Sequence, residues 1–164
     1  MTAAIELREQ RIGEKLNAGE ICNRIVTVAT RRMTVVQAAQ RMREQHVGCL
    51  VVIDEAGAGR MVAGILTDRD IVTSVVAKAV DANRLTVEDV MTAEVVMALE
   101  QDSLADLLAM MRRKGIRRIP VATPEGVLLG LVTMDDVLEI LAEQLRSVVL
   151  AIESEQVRER RLRE

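Results

Sequence analysis

Gly64-Ile65-Leu66-Thr67-Asp68-Arg69-Asp70-Ile71 and Gly130-Leu131-Val132-Thr133-Met134-Asp135-Asp136-Val137 are two copies of one pattern, 66 positions apart. In each, a glycine and an apolar run lead to a threonine, an aspartate follows three residues later, and an apolar residue comes next. Such a run predicts a strand that ends where a helix begins, with the hydroxyl and the carboxylate at the helix start. Working outward, the offset changes to 69 upstream of a loop that is three residues longer in the first copy. Ala18–Val52 then aligns without a gap: Ile21 falls on Val90, Val26 on Val95, Thr34 on Ser103 and Val52 on Val121. Val35, Ala38, Ala39 and Met42 recur as Leu104, Leu107, Leu108 and Met111, each the apolar stripe of an amphipathic helix. Thr34 with Gln37, and Ser103 with Asp106, predict the two helix starts.

After each helix comes a hairpin. The first is Leu50–Ile53, a loop over 54–60, and Met61–Leu66; the second is Ile119–Val121, a loop over 122–126, and Val127–Val132. A second helix follows each time, from Asp70 to about Val80 and from Asp136 onward. Each unit therefore reads β-α-β-β-α, too small to bury its apolar faces alone. The expected fold class is α/β (α+β): two pseudo-symmetric repeats packed sheet to sheet, with flanking N- and C-terminal helices. The expected segments are an N-terminal helix over 1–17, repeats over 18–86 and 87–146, and a C-terminal helix extension over 147–164. Leu141, Leu145, Val148 and Ile152 carry an apolar stripe past Leu138, after which the chain is highly charged. That stretch reads either as a solvated helix end or as a contact with a second copy or another protein.

Composition narrows the function classes. Hydrophobic residues make up 49% of the 164, yet there is no Phe, Tyr or Trp, so the core is aliphatic with nine Met. A net charge of −3 and the missing aromatics argue against nucleic acid as a partner. No apolar run approaches the ~18 residues of a membrane span, and the charged first twenty residues do not read as a secretory signal. A cytoplasmic protein is expected. Cys22, Cys49 and His46 are too few for an ordinary structural zinc site, and no metal is expected. The thiols read as buried and reduced.

On these residues, together with Val87-Glu88-Asp89-Val90-Met91-Thr92 and Gly115-Ile116-Arg117-Arg118-Ile119-Pro120-Val121, the chain resembles the CBS-domain family in its paired form, the Bateman module. The resemblance covers about Ala18 to Arg146. It implies a non-catalytic regulatory module that binds an adenosine-containing small molecule (AMP, ADP, ATP or an S-adenosylmethionine-like ligand) in the cleft between repeats. No cofactor is required, and Mg2+ could accompany the nucleotide. The resemblance further implies a homodimer that signals to a protein partner in trans, with no membrane association.

Two readings of Thr67/Asp70 and Thr133/Asp136 stand side by side. One is helix capping; the other has the Asp accept from a ribose diol while the Thr hydroxyl and helix-start N–H groups face phosphate. By resemblance, Arg117 and Arg118 hold phosphate, whereas their counterparts Gly48 and Cys49 carry no charge. The resemblance, with this difference in charge, implies a stronger cleft that uses Thr27, Val47, Arg117, Arg118, Leu131, Thr133 and Asp136. The weaker one would use Ile65, Thr67, Arg69, Asp70, Val96 and Ile116. Cys22, standing where the second repeat has Met91, reads as a small buried hydrophobe, and His46 as a helix-end residue. One His, no Walker-type loop, and no nucleophile beside either aspartate leave no basis for an enzyme. The alternative is a ligand-free dimerisation scaffold of the same fold.

Overall fold

The structure is a computed structural model that describes residues 16–57 and 59–162. The chain runs α1 (Ala18–Ile21), β1 (Val28–Thr30), α2 (Val35–Gln45), β2 (Cys49–Ala56), β3 (Gly59–Thr67) and α3 (Asp68–Ile71), then a π-helical turn (Val72–Val76). It continues through α4 (Val87–Val90), β4 (Ala98–Leu99), α5 (Leu104–Lys114), β5 (Arg118–Ala122), β6 (Leu128–Thr133) and α6 (Met134–Leu162). The starts of α2 and α5 fall where the sequence places them. Thr34 Oγ1 accepts from Gln37 N–H, and Ser103 Oγ from Asp106 N–H, each with the reciprocal bond of a capping box. His46 ends α2 at φ 53 and Gly115 ends α5 at φ 64, both left-handed. Histidine is among the few non-glycine residues that adopt this conformation readily.

Each repeat contributes a three-stranded sheet, ordered β1-β2-β3 and β4-β5-β6, with the first pair parallel and the second antiparallel. A bulge falls at Val52/Ile53 in one sheet and at Val121/Ala122 in the other, equivalent places in the repeat. Val51, Ile53 and Leu128 are buried together, with Val28, Val62 and Leu131 packed against them, so one apolar layer joins the two sheets.

The two cores exchange their entry segments. Ala18, Ile21 and Cys22 lie in the cluster of Leu107, Met111, Ile119 and Val132, while Val87 lies in that of Ala38, Met42, Leu50 and Leu66. Asn23 exchanges two backbone bonds with Leu131, of 2.9 and 3.0 Å, and Thr92 does the same with Ile65. Each core therefore draws on both 18–86 and 87–146. Gly130 and Gly64 make the exchange feasible. A Cβ on Gly64 would stand 2.6 Å from Met91 Sδ and 3.0 Å from Thr92 O. On Gly130 it would stand 2.9 Å from Asn23 O and press on Cys22 Sγ.

Some expectations shift. The first hairpin's strands run on to Ala56 and back from Gly59, beyond the expected Ile53 and Met61. Their backbones keep pairing after their side chains cease to be apolar. The helix expected over 70–80 starts at Asp68 and becomes π-helical, with Ala77 N–H bonding to Val72 O. Thr73 Oγ1 donates to Arg69 O at 2.9 Å, competing for the carbonyl that an α-helical Thr73 N–H would use. The neighbouring valines add β-branched crowding. Most of the N-terminal helix expected over 1–17 lies outside the described residues. The long C-terminal helix is present as α6 and exposes Leu138, Leu145, Val148 and Ile152.

Candidate functional site

The conformation of each Thr-x-x-Asp motif follows from its own chain. Thr133 N and Oγ1 both donate to Asp136 Oδ2, each at 2.7 Å, and Asp136 N returns a bond to Thr133 Oγ1 at 3.2 Å. Thr67 and Asp70 repeat this, at 2.8, 2.6 and 3.2 Å. The capping reading is thus realised in full. In both motifs it occupies one carboxylate oxygen and leaves Oδ1 directed elsewhere.

The surroundings of the two motifs differ. β5 begins with Arg118 opposite Thr133, whereas β2 begins with Cys49 opposite Thr67. Directly paired residues point to the same face of a sheet, so an arginine stem flanks one threonine and a buried thiol the other. At the start of α3, Asp68 Oδ1 accepts from Arg69 N–H at 2.8 Å, placing a carboxylate over that helix terminus. Its counterpart on α6 is Met134, uncharged, whose N–H bonds to Arg117 O at 2.8 Å. Both first turns carry two carboxylates, Asp68 and Asp70 on α3 and Asp135 and Asp136 on α6, so both macrodipoles are met by the chain's own anions and only the placement of the first one differs.

Leu131 and Thr133 share one face of β6, as Ile65 and Thr67 share one face of β3. Thr27 lies on the segment that leaves Asn23 and joins β1, and its carbonyl accepts from Val51 N–H at 3.3 Å. Val96, half-buried, occupies the equivalent segment after Thr92. Val47 packs on the first core and Ile116 on the second. Arg69 is exposed.

The side chains of Arg117 and Arg118 lie in different surroundings. Arg117 is exposed, with its guanidinium 3.7 Å from Asp135, and it lines an open groove of about 690 Å3 with Leu108, Met111, Arg112, Ile116 and Met134. Arg118 turns instead toward Gly48, where its Nη2 lies 3.4 Å from the site of an absent Cβ. Burial raises the pKa of both thiols. Arg24 opposes that rise at Cys22, and Arg118 opposes it at Cys49. The sequence reading did not single out Asp68, and it took Gly48 only as the uncharged counterpart of Arg117. The exchange of Asp68 for Met134 is visible in the repeat alignment, but the approach of Arg118 to Gly48 crosses between repeats and has no local signal.

The family model described as CBS domain matches residues 18–77 and 87–143. This chain belongs to the CBS-domain family. Its two CBS repeats are the two units that exchange entry segments. A Methanopyrus kandleri protein is 32% identical over 125 residues, which are 76% of this chain and 62% of that relative. The crystal structure of Hypoxic Response Protein I with two coordinated zinc ions is similar at 31% identity and TM-score 0.66, over 75% of this chain and 97% of that one. Among the described residues here, no group of three or more His, Cys, Asp or Glu side chains could hold a metal. The CBS domain pair of a protein crystallised with 5′-methylthioadenosine and S-adenosyl-L-methionine shares the fold at 23% identity and TM-score 0.69, over 79% of this chain and 98% of that one. No described helix is long and apolar enough to cross a membrane.

Proposed function

We propose that this CBS pair is a non-catalytic regulatory module whose cleft at Thr133 and Asp136 binds an adenosine nucleotide. The observation that carries the reading is the asymmetry between the motifs. At Thr133 there is an arginine stem in register, whereas at Thr67 there is a buried thiol in register. Asp136 Oδ1 suits a ribose hydroxyl donor, and the α6 terminus with Arg118 suits phosphate. Leu131 and Thr27 border the same cleft, and aliphatic contacts with backbone groups can hold a purine without aromatic stacking. Val47 is the further apolar wall this reading assigns to it. The second cleft, with Ile65, Thr67, Asp70 and Val96, then favours a ligand of lower charge, such as an adenosine without phosphate. Arg69, Arg117 and Ile116 serve at the rims. A cytoplasmic location, and Mg2+ arriving only with the nucleotide, belong to the same reading.

The test exploits the absence of Trp and Tyr, which leaves the protein nearly transparent where adenine absorbs. The near-ultraviolet spectrum of the purified protein is recorded, and thermal unfolding is followed with AMP, ADP, ATP, S-adenosylmethionine and NAD. A ligand specific for the folded state raises the midpoint with concentration. A saturable rise supports the sensor; a clean spectrum with no rise for any of them refutes it.

A second reading, a dimerisation scaffold, draws support from α6. Leu138, Leu145, Val148 and Ile152 are 55%, 67%, 57% and 51% exposed along one helix, more than a solvated helix end needs. A homodimer packed along this stripe is compatible with both readings and passes the signal to a protein partner through dimer shape.

A further inference from the structure

One arginine crosses from the second repeat to the first. Arg118 leaves β5 opposite Thr133, in the second repeat. Its Nη2 nevertheless lies 3.4 Å from the point where a Cβ on Gly48 would stand, and Asp68 Oδ2 lies 3.0 Å from that same point. Gly48 precedes β2 and its carbonyl accepts from Asp68 N–H at 3.2 Å, so both belong to the first repeat. The arginine therefore reaches from its own Thr-x-x-Asp motif to the helix start of the other, over a residue with no side chain to block it. Cys49 beside them responds to both charges: burial raises its pKa most, the Arg118 charge lowers it, and the Asp68 charge raises it. Among the described residues, no ion pair within 4.0 Å involves either Arg118 or Asp68. The equivalent of Arg118 is Cys49, and that of Asp68 is Met134, so the opposite diagonal carries no charge.

We infer that Asp68 is a built-in rival of the ligand's phosphates for Arg118, and that the two clefts, sharing this one cation, hold one polyphosphate per chain. The inference rests on the anion-binding part of the reading above and adds the regulation of that site. A guanidinium binds a phosphate through two parallel charge-assisted bonds, which a carboxylate at longer range does not match. A polyphosphate therefore draws Arg118 away from Asp68. The carboxylate left over Gly48 then repels a second anion from the Thr67 cleft.

Calorimetric titration with inorganic tripolyphosphate, and separately with ATP, tests this on the full chain and on Asp68→Asn, Arg118→Gln and the double variant. The expected result is one tripolyphosphate per chain, bound on the order of fivefold tighter by Asp68→Asn. Arg118→Gln loses about tenfold or more, and in the double variant the gain from Asp68→Asn disappears. Two tripolyphosphates per wild-type chain, no binding to any variant, or a gain from Asp68→Asn that persists without Arg118 overturns the inference. Tripolyphosphate following the expected pattern while ATP binds no tighter refutes the adenosine reading and leaves the shared cation standing. Unfolding midpoints of the variants, measured in parallel, confirm that each is folded.

Discussion

Replacing Gly130 by alanine tests how the repeats are interlocked. The new Cβ would stand 2.9 Å from both Asn23 O and Cys22 Cβ, where ordinary contact begins at 3.4 Å. The thiol can rotate away, but the Asn23 carbonyl is backbone. It is fixed by the paired bonds of 2.9 and 3.0 Å between Asn23 and Leu131. Moving that segment out by about half an ångström stretches both bonds toward the limit of hydrogen-bond distance. Overpacking of this kind costs about 1–3 kcal/mol, and two weakened backbone bonds lie within that range. Alanine recovers about 0.5–1 kcal/mol through the lower entropy of its unfolded chain. The net expectation is a loss of about 1 kcal/mol, lowering the thermal midpoint by roughly 2–4 °C for a chain of this size. Far-ultraviolet circular dichroism is the assay, since tryptophan and tyrosine fluorescence are absent. Gly57→Ala is the control, because a Cβ there meets nothing within 4 Å. If Gly130→Ala melts with that control or above it, the close approach of the exchanged segment is not what requires glycine.

Three further outcomes are expected. Asp136→Ala removes the acceptor of two Thr133 bonds, so nucleotide binding is lost and stability falls by about 1 kcal/mol. Calorimetry and a melt on the same sample check both, and retained nucleotide affinity would show that Asp136 only caps. Hydrogen bonds from Thr86 and Ser103 hold the Asp89 and Asp106 carboxyls below their ordinary pKa. Their stabilisation is complete above the unfolded carboxylate value and is lost as pH falls through the lowered folded values. A melting series should therefore be flat from about pH 5 to 7 and decline on acidification below about 4, less steeply in Ser103→Ala. Burial raises both thiol pKa values, and both cysteines are free and buried. A disulfide reagent at neutral pH should react with them at the rate of unfolding, and rapid modification of either would contradict their packing.

Local chemistry carried much of the fold into view. The stripes at Val35/Ala38/Met42 and Leu107/Met111, the capping pairs at Thr34 and Ser103, and the two Thr-x-x-Asp turns depend on residues within one or two helical turns. Their spacing is therefore written along the chain. The repeat itself implied two equivalent sheets, and the unequal chemistry of Arg117-Arg118 against Gly48-Cys49 could be read by alignment. Tertiary structure decided the rest, because it joins residues that no period connects. It packed Cys22 on Gly130 and Met91 on Gly64, so that each core is closed by a segment preceding the other repeat. It separated two adjacent arginines, turning one to an open groove and the other across to Gly48 and Asp68. A sequence period reports which face of an element is apolar. Which element covers that face, and where a long charged side chain finds space, depend on packing between segments far apart in the chain.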